Sequence, residues 1–342
     1  MSVPETMRAL IQKGDGYAKE HSGSVLEAMQ PYVEEATVPV PRPGAGQVLV
    51  KVARGAINPS DVMFIKGLYG QPRRQGQPAG FEGSGTVVAT GAGTEALAGR
   101  RIAFIAAGSG SWAEYALVDA AMAIPLMPGV SDEDGAAMIV NPLTALAMFD
   151  IVREEGEKSF ILTAGASQLC KLIIGLARDE GYRPIAIVRR DDQTELLIRH
   201  GAAHVLNAAA PGFERAIAAL CREEKPRIML DASTGPAAST IFNAMGRRSR
   251  WIVYGRLDTA ATVIREPGQL IFQAKRVEGF WLAEWLRSAP MEKKAAAGLE
   301  AQKRFADGRW KTDVTAVVPL KEAMARVPEE LARPNGKVFI AP

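Results

Sequence analysis

Ser159-Phe160-Ile161-Leu162-Thr163-Ala164-Gly165-Ala166-Ser167-Gln168-Leu169-Cys170 runs from an apolar strand through a tight turn into a helix. A dinucleotide pyrophosphate suits such a place, because the free N–H groups and the positive dipole end of the helix favour an anion. Gly165, Ala166, Ser167, Gln168 and Leu169 are the residues that would hold it. The glycine fingerprint is degraded, with Gln168 and Cys170 where later glycines would sit, so a plain strand-turn-helix packed for stability competes with the cofactor reading. About twenty residues past the turn, Ile185-Ala186-Ile187-Val188 ends in Arg189-Arg190, where an NAD-specific site would present an acidic side chain to the ribose 2′-hydroxyl. A guanidinium suits a 2′-phosphate instead, since its planar fork bonds phosphate oxygens bidentately. The pair favours NADP(H) over NAD(H), against the alternative of a solvated basic turn beside Asp191 and Asp192. Tyr254-Gly255 closes another apolar run, and ligands gather at the carboxyl ends of parallel strands, so these two join the cofactor candidates.

Other chemistries have little to work with. Two cysteines, Cys170 and Cys221, cannot supply a four-thiolate zinc site, and three histidines, His21, His200 and His204, restrict the room for histidine-based ones. The histidines lack an acid-base partner by position; His200 and His204 flank a helix end, where a cap or surface role suffices. The Tyr-x-x-x-Lys pair of short-chain reductases is absent, since none of the 6 tyrosines has a lysine four residues on. Lys+Arg 41 against Asp+Glu 38, without a basic block, asks for neither nucleic acid nor an anionic membrane, so the expected partner is a small molecule. The sparse cysteines fit a reducing compartment. The amino terminus lacks a basic start with an apolar core, and no apolar run approaches the roughly 18 residues of a membrane span. A cytoplasmic protein is expected.

A length of 342 residues suggests about two domains. The first third holds short apolar runs punctuated by Gly and Pro, the pattern of twisted antiparallel strands in a partly closed barrel: 47–53, 83–89, 101–105 and 112–118, with a helix at 59–65. From about Val130 the rhythm changes to strands at 160–163, 185–188, 203–206, 228–231 and 251–254, alternating with helices at 168–178, 193–200, 213–221 and 237–245. That alternation implies βαβ crossovers and a parallel sheet covered on both faces. Short strands at 316–318 and 338–340 return the chain to its first domain. Residues 14–35 read as a long polar excursion with no evident task.

With Pro39-Val40-Pro41-Arg42-Pro43-Gly44-Ala45-Gly46-Gln47-Val48-Leu49-Val50 and Gly80-Phe81-Glu82-Gly83-Ser84-Gly85 added, the chain resembles the medium-chain dehydrogenase/reductase superfamily over essentially its whole length. The resemblance implies an α/β fold. A GroES-like, partly open β-barrel catalytic domain (1–125 and 309–342) would accompany a Rossmann-type doubly wound parallel sheet that binds the dinucleotide (126–308), in a homodimer formed through edge strands. Where the superfamily's zinc alcohol dehydrogenases carry cysteine and histidine ligands, this chain has Asn58-Pro59-Ser60-Asp61 and Phe81, so a zinc-independent enzyme is implied.

Within that branch several stretches are similar to 2-enoyl thioester reductases. Gly67-Leu68-Tyr69-Gly70 resembles the segment of the proposed proton-donating tyrosine. Val140-Asn141-Pro142-Leu143-Thr144-Ala145 resembles the helix start beside the nicotinamide. Gly279-Phe280-Trp281-Leu282-Ala283-Glu284-Trp285 resembles an aromatic-rich strand lining the nicotinamide pocket. The resemblance thus implies Tyr69 and Asn58 as catalytic residues. It implies cofactor contacts for Asn141, Thr144, Phe280, Trp281, Leu282 and Lys337, beside those read from the turn. Each has a plainer reading: a surface turn for Tyr69, an Asn-Pro helix start for Asn58, an apolar helix for Thr144, core aromatics for Phe280 and Trp281, and a solvated charge for Lys337.

The implied activity is NADPH-dependent reduction of an activated C=C, in an α,β-unsaturated carbonyl compound or 2-enoyl thioester. Two alternatives stand beside it: an NADPH:quinone reductase using the same cofactor site, and an NADPH-binding sensor or partner-binding protein without turnover.

Overall fold

The computed structural model describes residues 3–19, 23–106, 109–333 and 336–342; His21 and Asn335, which leads into Lys337, lie outside them. Two compact units form, Met1–Val140 with Gly298–Pro342, and Asn141–Ala297. The breaks differ from the expected 125/126 and 308/309. The helix after Ser131 packs on barrel strands, and Gln302 accepts a hydrogen bond from the Met127 amide at 2.9 Å, so both flanks join the first unit.

In the first unit, β1 (Thr6–Gln12) pairs antiparallel with β2 (Val33–Pro39). There follow β3 (Gln47–Ile57), α1 (Pro59–Ile65), β4 (Glu82–Thr90), β5 (Arg101–Ile105), β6 (Tyr115–Asp119), β7 (Ala123–Pro125) and α2 (Asp132–Ala136). β3 is the hub: it pairs antiparallel with β4 and β6, β4 pairs with β5, and β5 with β7. Val48, Val50 and Val52 alternate inward against Val87, Ile102, Phe104 and Val118, each such burial contributing roughly 1.5–3 kcal/mol. The stretch 14–35 is less polar in effect than expected. Leu26, Met29 and Val33 enter a core with Leu10, Ile65 and Trp112, and Val33 opens β2.

The second unit contains α3 (Val140–Glu155, whose first residue belongs to the first unit), β8 (Ser159–Leu162), α4 (Gln168–Asp179), β9 (Arg183–Val188), α5 (Thr194–His200), β10 (His204–Asn207), α6 (Phe213–Glu224) and β11 (Ile228–Asp231). It continues with α7 (Gly235–Ala244), β12 (Arg250–Val253), α8 (Gly268–Phe272), β13 (Arg276–Gly279), α9 (Leu282–Ser288) and the first part of α10 (Met291–Ala306). The strands are all parallel in the order β10-β9-β8-β11-β12-β13. Chain order therefore reverses between β8 and β11, the switch point at which doubly wound sheets bind dinucleotides. The aromatic run 279–285, expected as one strand, is not one. β13 ends at Gly279, Phe280 still donates its amide to the Val253 carbonyl at 2.9 Å, and Trp281 is the N-cap of α9. Leu282, Ala283 and Glu284 are strong helix formers, so the chain turns helical where the resemblance implied a strand.

The chain then returns to the first unit as β14 (Val314–Pro319), α11 (Ala323–Leu331) and β15 (Lys337–Ala341). β15 pairs parallel with β14 and antiparallel with β3, so Lys337, expected just ahead of the last strand, is its first residue. No helix of the described residues is long and apolar enough to cross a membrane.

Candidate active site

The second unit gathers its candidates at the carboxyl edge of its sheet. β8 leads into α4 through Ala164, which takes a left-handed φ of 49°, and Gly165, whose amide bonds the Ile187 carbonyl at 2.9 Å. A Cβ on Gly165 would lie 2.8 Å from that of Ala186, so the turn hugs β9 more closely than any other residue allows. Ser167 caps α4 by accepting from the Cys170 amide at 3.3 Å, Gln168 opens the helix and Leu169 is buried. On the neighbouring strand, Arg189 and Arg190 stand exposed just past β9, and Arg190 approaches the exposed Asp192 at 3.4 Å. Tyr254 and Gly255 follow β12, and Phe280, Trp281 and Leu282, all half-buried, follow β13. The Arg287 guanidinium lies over the Trp281 ring, 5.2 Å from its centroid.

Beneath this edge lies a hydrogen-bonded hub that spacing did not reveal. Asp231, fully buried at the end of β11, accepts from Thr163 Oγ1 at 2.5 Å, from the Ser233 and Thr234 amides, and from Trp251 Nε1 at 2.7 Å. Cys170 donates its thiol to the Thr163 carbonyl and meets the Tyr254 hydroxyl at 3.5 Å. Burial pushes the Cys170 thiol and the Tyr254 phenol above their ordinary values, so both keep their protons at neutral pH. Cys170 is thus a neutral packing residue under the turn. Tyr254 sits with it in the wall, and its residue type alone could not show that.

In the first unit, Asn58, Glu82 and Lys337 form one buried cluster. Asn58 Nδ2 donates to Glu82 Oε1 at 2.9 Å, and Lys337 Nζ donates to Asn58 Oδ1 and to Glu82 Oε1, the latter at 3.3 Å. Glu82 Oε2 takes the Ile139 and Val140 amides at 3.2 and 2.8 Å. Every residue of the cluster is 5% exposed or less, so Lys337 is not a solvated charge. Stranding one partner of such a pair costs about 3–5 kcal/mol, so each holds the other in place. Asp61, in the first turn of α1, accepts the Asn58 amide at 2.8 Å and the Phe81 amide at 2.7 Å. Phe81 in turn packs on Phe64 and Tyr69, at centroid distances of 4.8 and 5.3 Å. Tyr69 is therefore a half-buried member of an aromatic trio rather than a bare surface turn. Glu82 and Asp61 lie inside stretches legible in the sequence, but only the fold shows that they knit Asn58, Tyr69 and Lys337 together. In the second unit, Thr144 is buried and Asn141 half-buried at the start of α3.

Burial pushes the Asp61 carboxyl from 3.8 up to about 7, with Glu82 adding to the rise and the two amides and Lys337 opposing it. Folded protein then holds a proton that the unfolded chain has lost between about pH 4 and pH 7. The stability from this group is full below that window and lost as pH rises through it, at up to about 1.4 kcal/mol per unit. Asp61→Asn mimics the protonated form, so thermal unfolding at pH 5 and pH 8 should show the variant gaining on wild type at the higher pH. An unchanged gap would contradict the assignment.

The histidines need one correction. His204, expected to lack a partner, bonds Glu224 Oε1 through Nε2 at 2.7 Å, beside Arg183. That ion cluster starts at the amino end of β10, where no cofactor candidate lies.

Residues 44–128 match the alcohol dehydrogenase GroES-like domain, and residues 169–297 match the family described as zinc-binding dehydrogenase. A Mesorhizobium loti protein of known crystal structure, assigned as an NADPH:quinone reductase, is 64% identical, with 100% of both chains covered and a TM-score of 0.97. The chain belongs to the medium-chain dehydrogenase/reductase superfamily. It is an oxidoreductase of that superfamily's type. The Bos taurus mitochondrial enoyl-[acyl-carrier-protein] reductase is 29% identical over 248 residues, 71% of this chain; the match spans 66% of that protein's length, just under two thirds. Escherichia coli quinone oxidoreductase, solved as a complex with NADPH, shares the superfamily fold at 20% identity, with 98% of this chain and 100% of that one covered and a TM-score of 0.82.

The superfamily's zinc chemistry does not fit this donor set. Asn58 and Phe81 replace the thiolate and the imidazole, the Phe81 ring is packed in the aromatic trio, and the Glu82 carboxylate already carries the Lys337 ammonium. Among the described residues no group of His, Cys, Asp and Glu could hold a metal ion. A dinucleotide fits better: the turn into α4 offers helix N–H groups, and two exposed guanidiniums stand past the adjacent strand.

Proposed function

We propose that this oxidoreductase binds NADP(H) along the carboxyl edge of its parallel sheet and reduces an activated C=C, in an α,β-unsaturated carbonyl compound or 2-enoyl thioester, without zinc. The observation that carries this reading is that buried Asp61 holds the backbones of Asn58 and Phe81 together, and the half-buried Tyr69 ring packs on Phe81, the neighbour of Glu82 in the buried polar cluster. NADPH held there would supply the hydride for the β-carbon; a proton added at the α-carbon completes saturation of the C=C, with NADP⁺ as the oxidised product. Tyr69 holds that proton and gives it up, directly or through a water, as negative charge builds on the carbonyl oxygen. Asn58 completes the catalytic pair; its amide orientation is set by Glu82 and Lys337. The turn at 165–169 takes the pyrophosphate, Arg189 and Arg190 take the 2′-phosphate, and Asn141, Thr144, Tyr254, Gly255, Phe280, Trp281 and Leu282 complete the cofactor's surroundings on the second unit, while Lys337 stays with Asn58 and Glu82 in the first.

A second reading, an NADPH:quinone reductase, is favoured by the name of the 64% identical relative. Comparing kcat/KM for a 2-enoyl thioester, an enone and a quinone with NADPH separates the two. The account expects the enoyl or enone acceptor to lead by at least about tenfold, roughly 1.4 kcal/mol of transition-state stabilisation. A quinone lead replaces it with the second reading, and tight NADPH binding without turnover on any acceptor replaces both with a sensor. The proposal extends to a cytoplasmic homodimer, supported by two free cysteines and by β13, an edge strand with Val277 exposed and Ile271 and Phe272 exposed just before it.

A further inference from the structure

We infer that Arg73 is a positioning residue for Tyr69, acting through the stretch 14–18, which straps the loop between α1 and β4. The inference rests on the reading of Tyr69 as proton donor. That loop has little regular structure of its own, yet both flanks of Tyr69 are tied to the same strap. On one side the Gly67 carbonyl accepts the Ala18 amide at 2.9 Å. On the other, Arg73 and Gly16 exchange backbone hydrogen bonds at 3.1 and 3.2 Å as an isolated antiparallel bridge.

The Arg73 side chain then closes the arrangement. Nε donates to the Gly16 carbonyl at 3.1 Å, Nη1 to the Ile65 carbonyl at the end of α1 at 3.2 Å, and Nη2 to the Asp15 carbonyl at 3.3 Å. One planar fork thus joins the strap, the end of the helix and the tyrosine loop, which the single ammonium of a lysine cannot imitate. The guanidinium is threaded between two glycines. A Cβ on Gly14 would come within 2.4 Å of Nη1, and one on Gly67, at φ +76°, within 2.6 Å of Cζ. Among the described residues Arg73 bonds no carboxylate, so its partners use its shape and its donors rather than an opposite charge. The strap therefore has a task that its polar composition concealed: it fixes the loop from which Tyr69 packs on Phe64 and Phe81.

The test is a double-mutant cycle on the full chain with a short 2-enoyl thioester and NADPH. Arg73→Ala, Arg73→Lys and Gly14→Ala are each made alone and together with Tyr69→Phe. Displacing a reacting group by about an ångström costs up to about a hundredfold. Arg73→Ala should therefore lower kcat by about ten- to a hundredfold with KM for NADPH unchanged, Arg73→Lys should fail to rescue it, and the loss should vanish once Tyr69 is Phe. Gly14→Ala keeps the arginine but crowds its fork, and should lower kcat severalfold should the Arg73 variants not fold. Losses that persist undiminished beside Tyr69→Phe, or an unchanged kcat, overturn the positioning role while leaving Tyr69 as donor. A Tyr69→Phe enzyme with full kcat overturns the donor reading itself, and the inference with it.

Discussion

Tyr69→Phe should lower kcat for 2-enoyl thioester reduction by about 10²- to 10⁴-fold, the range that a positioned general acid supplies, while KM for NADPH stays where it was. The substitution removes only the phenol oxygen. The ring remains to fill its place against Phe64 and Phe81, so packing and the buried cluster below are preserved. Saturating a C=C needs a proton delivered to carbon or to an enolate oxygen as the hydride arrives, whereas the oxygens of a reduced quinone take protons readily from water. With quinone acceptors the same variant should therefore lose little. Steady-state rates on both acceptor types check this. Equal losses on both would mean that Tyr69 shapes the pocket rather than donating, and no loss on the thioester would remove it from the chemistry.

Replacing Arg189 and Arg190 together by Ala should weaken NADPH binding by about 10²-fold and bring it near the NADH value. Hydrogen bonds to charged groups contribute about 1.5–3 kcal/mol each, and two guanidiniums facing one 2′-phosphate account for a loss of that size. NADH lacks the phosphate, so its affinity should hardly move. Both side chains are exposed, and Arg190 approaches the likewise exposed Asp192, so the substitution leaves the folded core untouched. Fluorescence titration of the two nucleotides against wild type and variant decides it. A variant that still prefers NADPH places the phosphate elsewhere.

Much of this architecture was legible because the rhythm of the sequence changes twice, from short punctuated strands to strands alternating with helices and, near the end, back to short strands. α1 at Pro59–Ile65 follows from Asn-Pro at a helix start and Asp61 in its first turn, and β11 at Ile228–Asp231 from a bare apolar run. What escaped was long-range. Glu82 and Lys337 are 255 residues apart, and no local pattern announces that they share Asn58. Asp231 looks like the end of a strand, and only the parallel register brings Thr163 and Trp251 to it. The strand expected over 279–285 came from its likeness to an aromatic-rich strand of the 2-enoyl thioester reductases, whereas Leu282-Ala283-Glu284 prefer a helix. The 14–35 stretch hid its purpose because backbone carbonyls, rather than side chains, receive Arg73.

The most direct measurement locates the transferred hydrogen. NADPH carrying deuterium at the transferable C4 position is oxidised with a short 2-enoyl thioester, and the product is examined by NMR. The account predicts one deuterium at the β-carbon, with the α-hydrogen drawn from solvent. A saturated product without deuterium at the β-carbon, or no saturated product from an enzyme that still oxidises NADPH with quinones, would contradict it.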